Sequence, residues 1–414
     1  MRRLLRRIKR KLKRELLKAE TFLKRKISSA GRWMRQLVIF LKAVCAPELS
    51  KKYKGIFEVG AAVDVIDDWD KETAEIGCWG KEALIAHCFS AVVPENAMKP
   101  EYNFDPDAED LFHISEGTEK TLQFARSHSL KVRVHVLVWH KQTNDAIFCR
   151  DFQPVYDPDG KLHADCLVAR EVLLDRLNRY ISGFIRYIYE NGYADLVYAY
   201  DVVNEAASNR PGELYRDSYW YRIIGPDYIY YSFLYARQAM DRYSRMYAGI
   251  YHADSLKQIQ GDLLYCDNYE WLPEKQEKIT RILNETIRNH EHRTEHLVDG
   301  TGMQGHITLD TDVTMYMNAM KRYGREFGTV HITEYDICAG EQRKTGYPEK
   351  YREMIEGFLS AVKQGTDLKS VTFWGVNDGR SWQKEKHCSL LFDDSFRAKK
   401  ELYEISGINI TKYR

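Results

Sequence analysis

Val-Tyr-Ala-Tyr-Asp-Val-Val-Asn-Glu (197–205) decides the architecture. Its body is short, apolar and rich in β-branched and aromatic residues, the composition of a buried strand. A helix-like stretch precedes it at 168–189 and another follows at 228–247. The alternation continues in both directions. Upstream, candidate strands stand at 57–61, 89–92 and 131–138. Downstream they stand at 263–266, 302–305, 330–333 and 370–373, with further helix-like stretches at 273–288 and 347–363. Eight strands alternating with helices predict an α/β chain with a closed parallel sheet, a (β/α)8 TIM barrel. No repeat, low-complexity run or Pro/Gly/Ser linker interrupts residues 51–410, so they are expected to form one domain.

In such barrels, chemistry gathers where the carboxyl ends of the strands open into loops. Ligand-type residues stand there in this chain. Glu95, Asn96 and Lys99 follow the second candidate strand, and His135, Trp139, His140 and Gln142 close the third. Asp201, Asn204 and Glu205 close the fourth, Gln304 and His306 the sixth, Glu334 and Asp336 the seventh. Trp374, Asp378 and Trp382 follow the eighth. A single residue of this kind is ordinary barrel-mouth polarity; their accumulation at one end of successive strands predicts a site.

Val-Val-Asn-Glu (202–205) and Ile-Thr-Glu (332–334) each set a glutamate directly after an apolar strand. Breaking a glycosidic bond takes one carboxylic acid to protonate the leaving oxygen and one carboxylate on the opposite sugar face. A separation of about 5–5.5 Å makes the second a nucleophile. The competing reading pairs each glutamate with Arg or Lys at the rim. Asp201 and Asp336 are expected as supports, and His306 as the group that orients Glu334. Trp374 and Trp382 offer indole faces for sugar C–H faces, each burying roughly 100 Å² at about 25 cal/mol per Å². Lys99, Asn96, Gln142 and Asn204 would fix hydroxyl groups. There is no His-Glu-x-x-His spacing, so neither a metal nor another cofactor is expected.

Seven ordered motifs carry a family resemblance. They are Val-Pro-Glu-Asn-Ala-Met-Lys (93–99), Leu-Val-Trp-His-Lys-Gln-Thr (137–143), Asp-Val-Val-Asn-Glu-Ala (201–206) and Gly-Met-Gln-Gly-His (302–306). Ile-Thr-Glu-Tyr-Asp-Ile (332–337), Val-Thr-Phe-Trp-Gly-Val (371–376) and Leu-Leu-Phe-Asp-Asp (390–394) complete them. The chain resembles glycoside hydrolase family 10, the retaining endo-β-1,4-xylanases, from about residue 53 to 405. The resemblance implies that Glu205 is the acid/base and Glu334 the nucleophile in hydrolysis of xylan or xylo-oligosaccharides. It further implies that Glu95, Asn96, Lys99, His135, Trp139, Gln142, Asn204, Gln304, His306, Trp374 and Trp382 line the glycone side. Tyr200 and Val134 depart from the family pattern without touching the catalytic pair. The runs 144–148 and 267–270 depart on the leaving-group side, which points towards short oligosaccharides as substrates.

Charge is divided unevenly along the chain. Residues 1–52 carry 18 Lys and Arg against 3 Glu, and the remainder carries 44 against 57 acidic residues. An acidic body argues against nucleic acid as partner. Within the basic arm (residues 1–50), Leu5, Ile8, Leu12, Leu16, Ala19, Leu23 and Ile27 draw one apolar stripe at helical spacing. Such a helix can lie peripherally in the headgroup layer of an anionic membrane, or the arm can be a solvated tail. The apolar run 37–46 is interrupted by Lys42 and is too short to span a bilayer. Eight scattered Cys, with no Cys-x-x-Cys pair, read as buried reduced thiols. That favours the cytoplasm, at the inner membrane surface if the arm binds it, with secretion as the alternative.

Overall fold

The apolar runs become parallel strands because their β-branched and aromatic side chains suit a sheet covered on both faces. The computed structural model describes residues 31–65, 74–252, 254–288, 297–383, 385 and 387–413. Its strands are β1 (Glu58–Val63), β2 (Ala91–Pro94), β3 (Lys131–Val134), β4 (Val197–Asn204) and β5 (Asp262–Asp267). They continue with β6 (Gly300–Met303), β7 (His306–Thr308), β8 (Thr329–Cys338) and β9 (Leu368–Phe373). Successive strands pair in parallel from β1 to β6, β9 pairs with both β1 and β8, and β6 pairs with β8 to close the ring. Short β7 extends the line of β6 and pairs with the far end of β8. The closed barrel therefore has eight staves among the described residues, as the alternation predicted.

Two-residue periodicity separates the layers. On β5, Leu263 and Tyr265 join the large apolar layer under the helices, while Leu264 and Cys266 join Ala199 of β4 in a separate small cluster inside the barrel. The helix Arg170–Glu190 buries Leu173, Leu177, Ile181, Phe184 and Ile188 at spacings of three and four. The helix Glu116–His128 starts at Ser115, whose side chain accepts from the Thr118 N–H.

Two strand limits differ from the sequence reading. The third strand was expected to reach 138, but its ladder stops at Val134. Beyond it, contact continues only through Leu137 N–H to the Asp201 carbonyl at 3.0 Å and a bridge between Val138 and Val203. The sixth runs Gly300–Met303 and then breaks at Gly305, φ 77°, a left-handed turn that glycine adopts freely. Chain direction is recovered at once in β7.

Residues 1–30, which carry the expected amphipathic stripe, lie outside the described residues. Residues 31–45 are helical and rest on the barrel wall through Ile39 and Ala43. No helix of the described residues is long and apolar enough to cross a membrane. The thiol reading needs correction in two places. Cys338, at the end of β8, is disulfide-bonded to Cys388, and Cys45 is exposed; Cys78, Cys88, Cys149, Cys166 and Cys266 are free and buried. Single scattered cysteines give no hint of a pair that only the fold brings together.

Candidate active site

Asn204 and Glu205 are consecutive, yet both line one cleft at the carboxyl end of the barrel. A regular strand would send them to opposite faces. Glu205 instead takes a left-handed backbone, φ 57°, at a cost of about 1 kcal/mol or more, and its N–H donates to the Cys266 carbonyl on β5 at 2.8 Å. Across the mouth, Glu334 lies within β8 and is nearly buried. Gln304, from the turn after β6, ties the two together. Its Nε2 donates to Glu205 Oε1 at 2.9 Å, and its carbonyl accepts from the Glu334 N–H at 2.7 Å.

The two acids have different neighbours. His306 Nε2 lies 3.1 Å from Glu334 Oε2, while Oε1 has no hydrogen-bond partner among the described residues. Burial alone would raise the Glu334 pKa. The His306 hydrogen bond, with neighbouring His135 and Arg133, outweighs it and holds the group below the ordinary carboxylate value. His306 also faces Asp336, with Nδ1 and Oδ1 3.0 Å apart. Burial opposes its charge, but the two carboxylates push it up to about 10, so it is an imidazolium at neutral pH. Glu205 has a different company: its Oε2 is 3.9 Å from His140 and 3.7 Å from the Arg216 guanidinium. Burial, then Arg216 and Lys141, depress His140 to about 3, which keeps that ring neutral.

Asp201 and Asp336 stand behind the cleft, not in its wall. Asp336 Oδ2 accepts from Trp382 Nε1 at 3.0 Å. Asp201 accepts from His135 Nδ1 at 2.8 Å and from the Arg133 guanidinium, whose other end donates to the Thr333 carbonyl at 2.6 Å. Burial would raise Asp201, but Arg133 and His135 together hold it low.

One end of the cleft is a polar fan over aromatic rings. Lys99 Nζ donates to Asn96 Oδ1 at 3.0 Å and Gln142 Oε1 at 2.6 Å, and lies 5.0 Å from the Trp139 ring centre. Burial pulls the Lys99 pKa down against the pull of Glu334 and Glu95. Glu95 is raised to about 7 by burial and then by Asp64. Trp374 is buried edge-on to His135, centroids 5.2 Å apart, whereas Trp382 is 54% exposed over His306 at 4.8 Å.

Both glutamates and every residue expected to bind substrate line this single cavity of about 430 Å³. Asp378 does not join them; it pairs with Lys399 and accepts from the Leu390 N–H. The sequence reading missed Lys141, whose Nζ lies 5.8 Å from the Trp139 ring centre, and Asn209 and Arg216, which line the same cleft with Asn268 and Tyr269. Arg216 lies in a loop, and its Nε donates to the Glu205 carbonyl at 2.7 Å. No strand-end rule finds such a residue. Arg133 on β3 had a readable signal, for it stands two residues before His135, just past the strand's end, and so shares its inward parity. Asp336, Cys338 and Cys388 form the one trio within metal-ligand reach among the described residues, but their two sulfurs are joined to each other and offer no thiolate.

Residues 48–407 match the family described as Glycosyl hydrolase family 10. The chain belongs to that family. It is 31% identical over 375 residues to endo-1,4-beta-xylanase A of Caldicellulosiruptor saccharolyticus, covering 86% of this chain and 94% of the relative. Similar figures, 30% identity with 87% and 98% coverage, hold for an endo-1,4-beta-xylanase of Geobacillus stearothermophilus. Other relatives are longer: the chain spans 30% of endo-1,4-beta-xylanase A of Thermotoga maritima and 52% of endo-1,4-beta-xylanase B of Butyrivibrio fibrisolvens. Among solved structures, the endo-1,4-beta-xylanase from Caldicellulosiruptor owensensis superposes with TM-score 0.66 at 30% identity, over 87% of this chain and 100% of that one. An intracellular xylanase of Thermoanaerobacterium saccharolyticum, solved as a Glu-to-Ala mutant with xylotriose, gives 0.67 at 26%, over 87% and 98%. The family match spans every strand of the TIM barrel.

Proposed function

We propose that this family-10 chain is a retaining endo-1,4-β-xylanase with Glu205 as acid/base and Glu334 as nucleophile. The observation that carries the reading is the asymmetry between two glutamates in one cleft. One oxygen of Glu334 is clamped by an imidazolium and the other has no partner among the described residues, while Glu205 accepts from the Gln304 amide with a guanidinium at its edge. In the first step, Glu334 Oε1 attacks the anomeric carbon, the bond to the leaving oxygen breaks, and Glu205 passes its proton to that oxygen. A glycosyl ester on Glu334 results. In the second step, Glu205 takes a proton from water, the oxygen of that water attacks the anomeric carbon, and the Glu334 carboxylate leaves. Asn96, Lys99 and Gln142 would hold sugar hydroxyls on the glycone side, with Trp374 and Trp382 against ring faces.

Xylan or xylo-oligosaccharides are the substrate class, and short oligosaccharides are the preferred form. Of the changed runs at 144–148 and 267–270, the second brings Asn268 and half-exposed Tyr269 to the cleft. A product time course on defined xylo-oligosaccharides, followed by NMR, tests the assignment. The first product should keep the β configuration of the bond cut, and Glu334→Ala should lose nearly all turnover. An inverted first product, or a Glu334→Ala enzyme with substantial activity, overturns it. Cello-oligosaccharides of matched length, run in parallel, should be cut far more slowly.

The basic arm supports peripheral attachment to an anionic membrane. The five free buried thiols fit the cytoplasmic face, whereas the Cys338–Cys388 link favours the exported alternative, since disulfides persist in oxidising compartments. Fractionation of producing cells with alkylation of free thiols decides between them: a reduced pair in the cytosolic or inner-membrane fraction supports the first.

A further inference from the structure

The helix at residues 31–45 is built the wrong way round for a water-soluble barrel. Its narrow inner side is fixed firmly. The Gly80 N–H donates to Gln36 Oε1 at 2.9 Å, Ala43 is buried, Lys42 donates to the Ser395 carbonyl, and the Ala46 carbonyl meets His87 Nε2 at 3.0 Å. A Cβ on Gly80 would stand 2.2 Å from the Gln36 carbonyl oxygen, so the contact is too close for any other residue. The outward side should then be polar. Beside exposed Arg32 and Arg35 and half-buried Lys42 it carries Trp33, Met34, Val38, Phe40, Leu41 and Val44, each between 37% and 59% exposed. Trp79 extends the patch, with its ring 6.3 Å from Trp33 and 5.9 Å from Phe40. A contiguous apolar face of this kind marks an interaction surface.

Charge selects the occupant. Residues 1–30, which lead directly into this helix, carry 13 Lys and Arg against 2 Glu. Two copies meeting through the face would bring two such arms together, which like-charge repulsion opposes. An anionic bilayer satisfies both features, because aromatic and aliphatic side chains enter the headgroup boundary while cations meet lipid phosphates. We propose that the outward face of helix 31–45, with Trp79, is the docking surface for an anionic lipid bilayer. The inference rests on the membrane reading given above and assigns its contact to a defined face.

The placement also sets the posture. The beginning of the helix lies beside Cys78 and Asp394–Phe396, in loops that follow β1 and β9 at the cleft end. Its end lies beside His87, where the helix Trp79–Cys88 returns to the opposite end of the barrel. The helix therefore runs along the barrel wall from the cleft end to the far end. Seated on a membrane by that wall, the enzyme lies on its side, and the cleft opens laterally to soluble sugar.

The test uses the full chain with vesicles of equal parts phosphatidylglycerol and phosphatidylcholine, and with pure phosphatidylcholine as control. Wild type should sediment with the anionic vesicles. The combined Trp33→Ser, Phe40→Ser and Leu41→Ser variant should bind at least about tenfold more weakly while hydrolysing xylo-oligosaccharides at the wild-type rate. Exposed Cys45 borders the same face. An environment-sensitive fluorophore attached there should shift to the blue on vesicle addition. Equal binding by wild type and variant, or an unshifted label on bound protein, overturns the docking face and leaves attachment to the arm alone. No binding by wild type removes the membrane reading as well. Concentration-dependent dimers in lipid-free buffer that the variant abolishes would assign the face to a second copy. Hydrolysis of xylo-oligosaccharides is read separately, so none of these outcomes bears on the catalytic assignment.

Discussion

Asp336 shows how one buried carboxylate behind a cleft can govern the charge inside it. It touches His306, and His306 touches Glu334. The raised His306 pKa means that its stabilising charge is fully present below about 6.5 and is lost as pH rises through about 10. Asp336→Asn removes one of the two carboxylates that hold the proton. The alkaline limb of kcat/KM should move to lower pH, and kcat should fall about 10- to 100-fold, the equivalent of one charged hydrogen bond. A pH–rate profile of both proteins checks this; an unshifted alkaline limb would remove Asp336 from the arrangement. Legibility at this scale was uneven. Glu205, Glu334 and their neighbours were readable because each closes an apolar run. Arg216 was not, because a loop residue carries no periodic signature, and its approach to Glu205 exists only after folding.

At the scale of elements, the turn between β6 and β7 is where the barrel becomes a site. Gln304 and His306 stand on either side of Gly305 and reach different glutamates. The Gly305 N–H donates to Glu270 Oε1 at 3.0 Å, and Tyr316 donates to the same oxygen at 3.3 Å. Burial pushes Glu270 up to about 8, so the folded protein prefers its protonated form. The contribution is complete below the ordinary carboxylate value of 4.5 and declines as pH rises towards 8, because the unfolded chain releases this proton first. Glu270→Gln should therefore change Tm little at pH 5 and raise it by a few degrees at pH 8, on the order of 3–4 kcal/mol. Parallel calorimetric scans at the two pH values decide it, and equal shifts at both would exclude titration of Glu270. The strand order was legible throughout, since burial on both faces leaves continuous apolar runs, whereas the helices Trp79–Cys88, Glu116–His128 and Val313–Phe327 were not singled out. The break at Gly305 was misplaced within the sixth strand because Gly300–Met303 holds a single large apolar residue.

For the whole molecule, Arg133 is a brace across the barrel. From β3 it reaches Asp201 on β4 and the Thr333 carbonyl on β8, and it is fully buried. Arg133→Met would strand the Asp201 carboxylate in the interior with His135 alone. The expected loss is about 3–5 kcal/mol, read as a lower denaturant midpoint. Adding Asp201→Asn should recover part of that loss, because the uncompensated charge goes with it. A double variant as unstable as the sum of the two single changes would argue against the brace. The charge count separates residues 1–52 from the remainder, but it could not show that the helix at 31–45 belongs physically to the barrel wall.

The bond between Cys338 and Cys388 makes a covalent loop of the segment that holds the helix Tyr347–Lys363, β9 and Trp382. A protease that nicks the chain anywhere within that loop leaves two fragments still tethered. On a gel without reductant the nicked enzyme would migrate as one species, and its last barrel stave would stay close enough to remain in place.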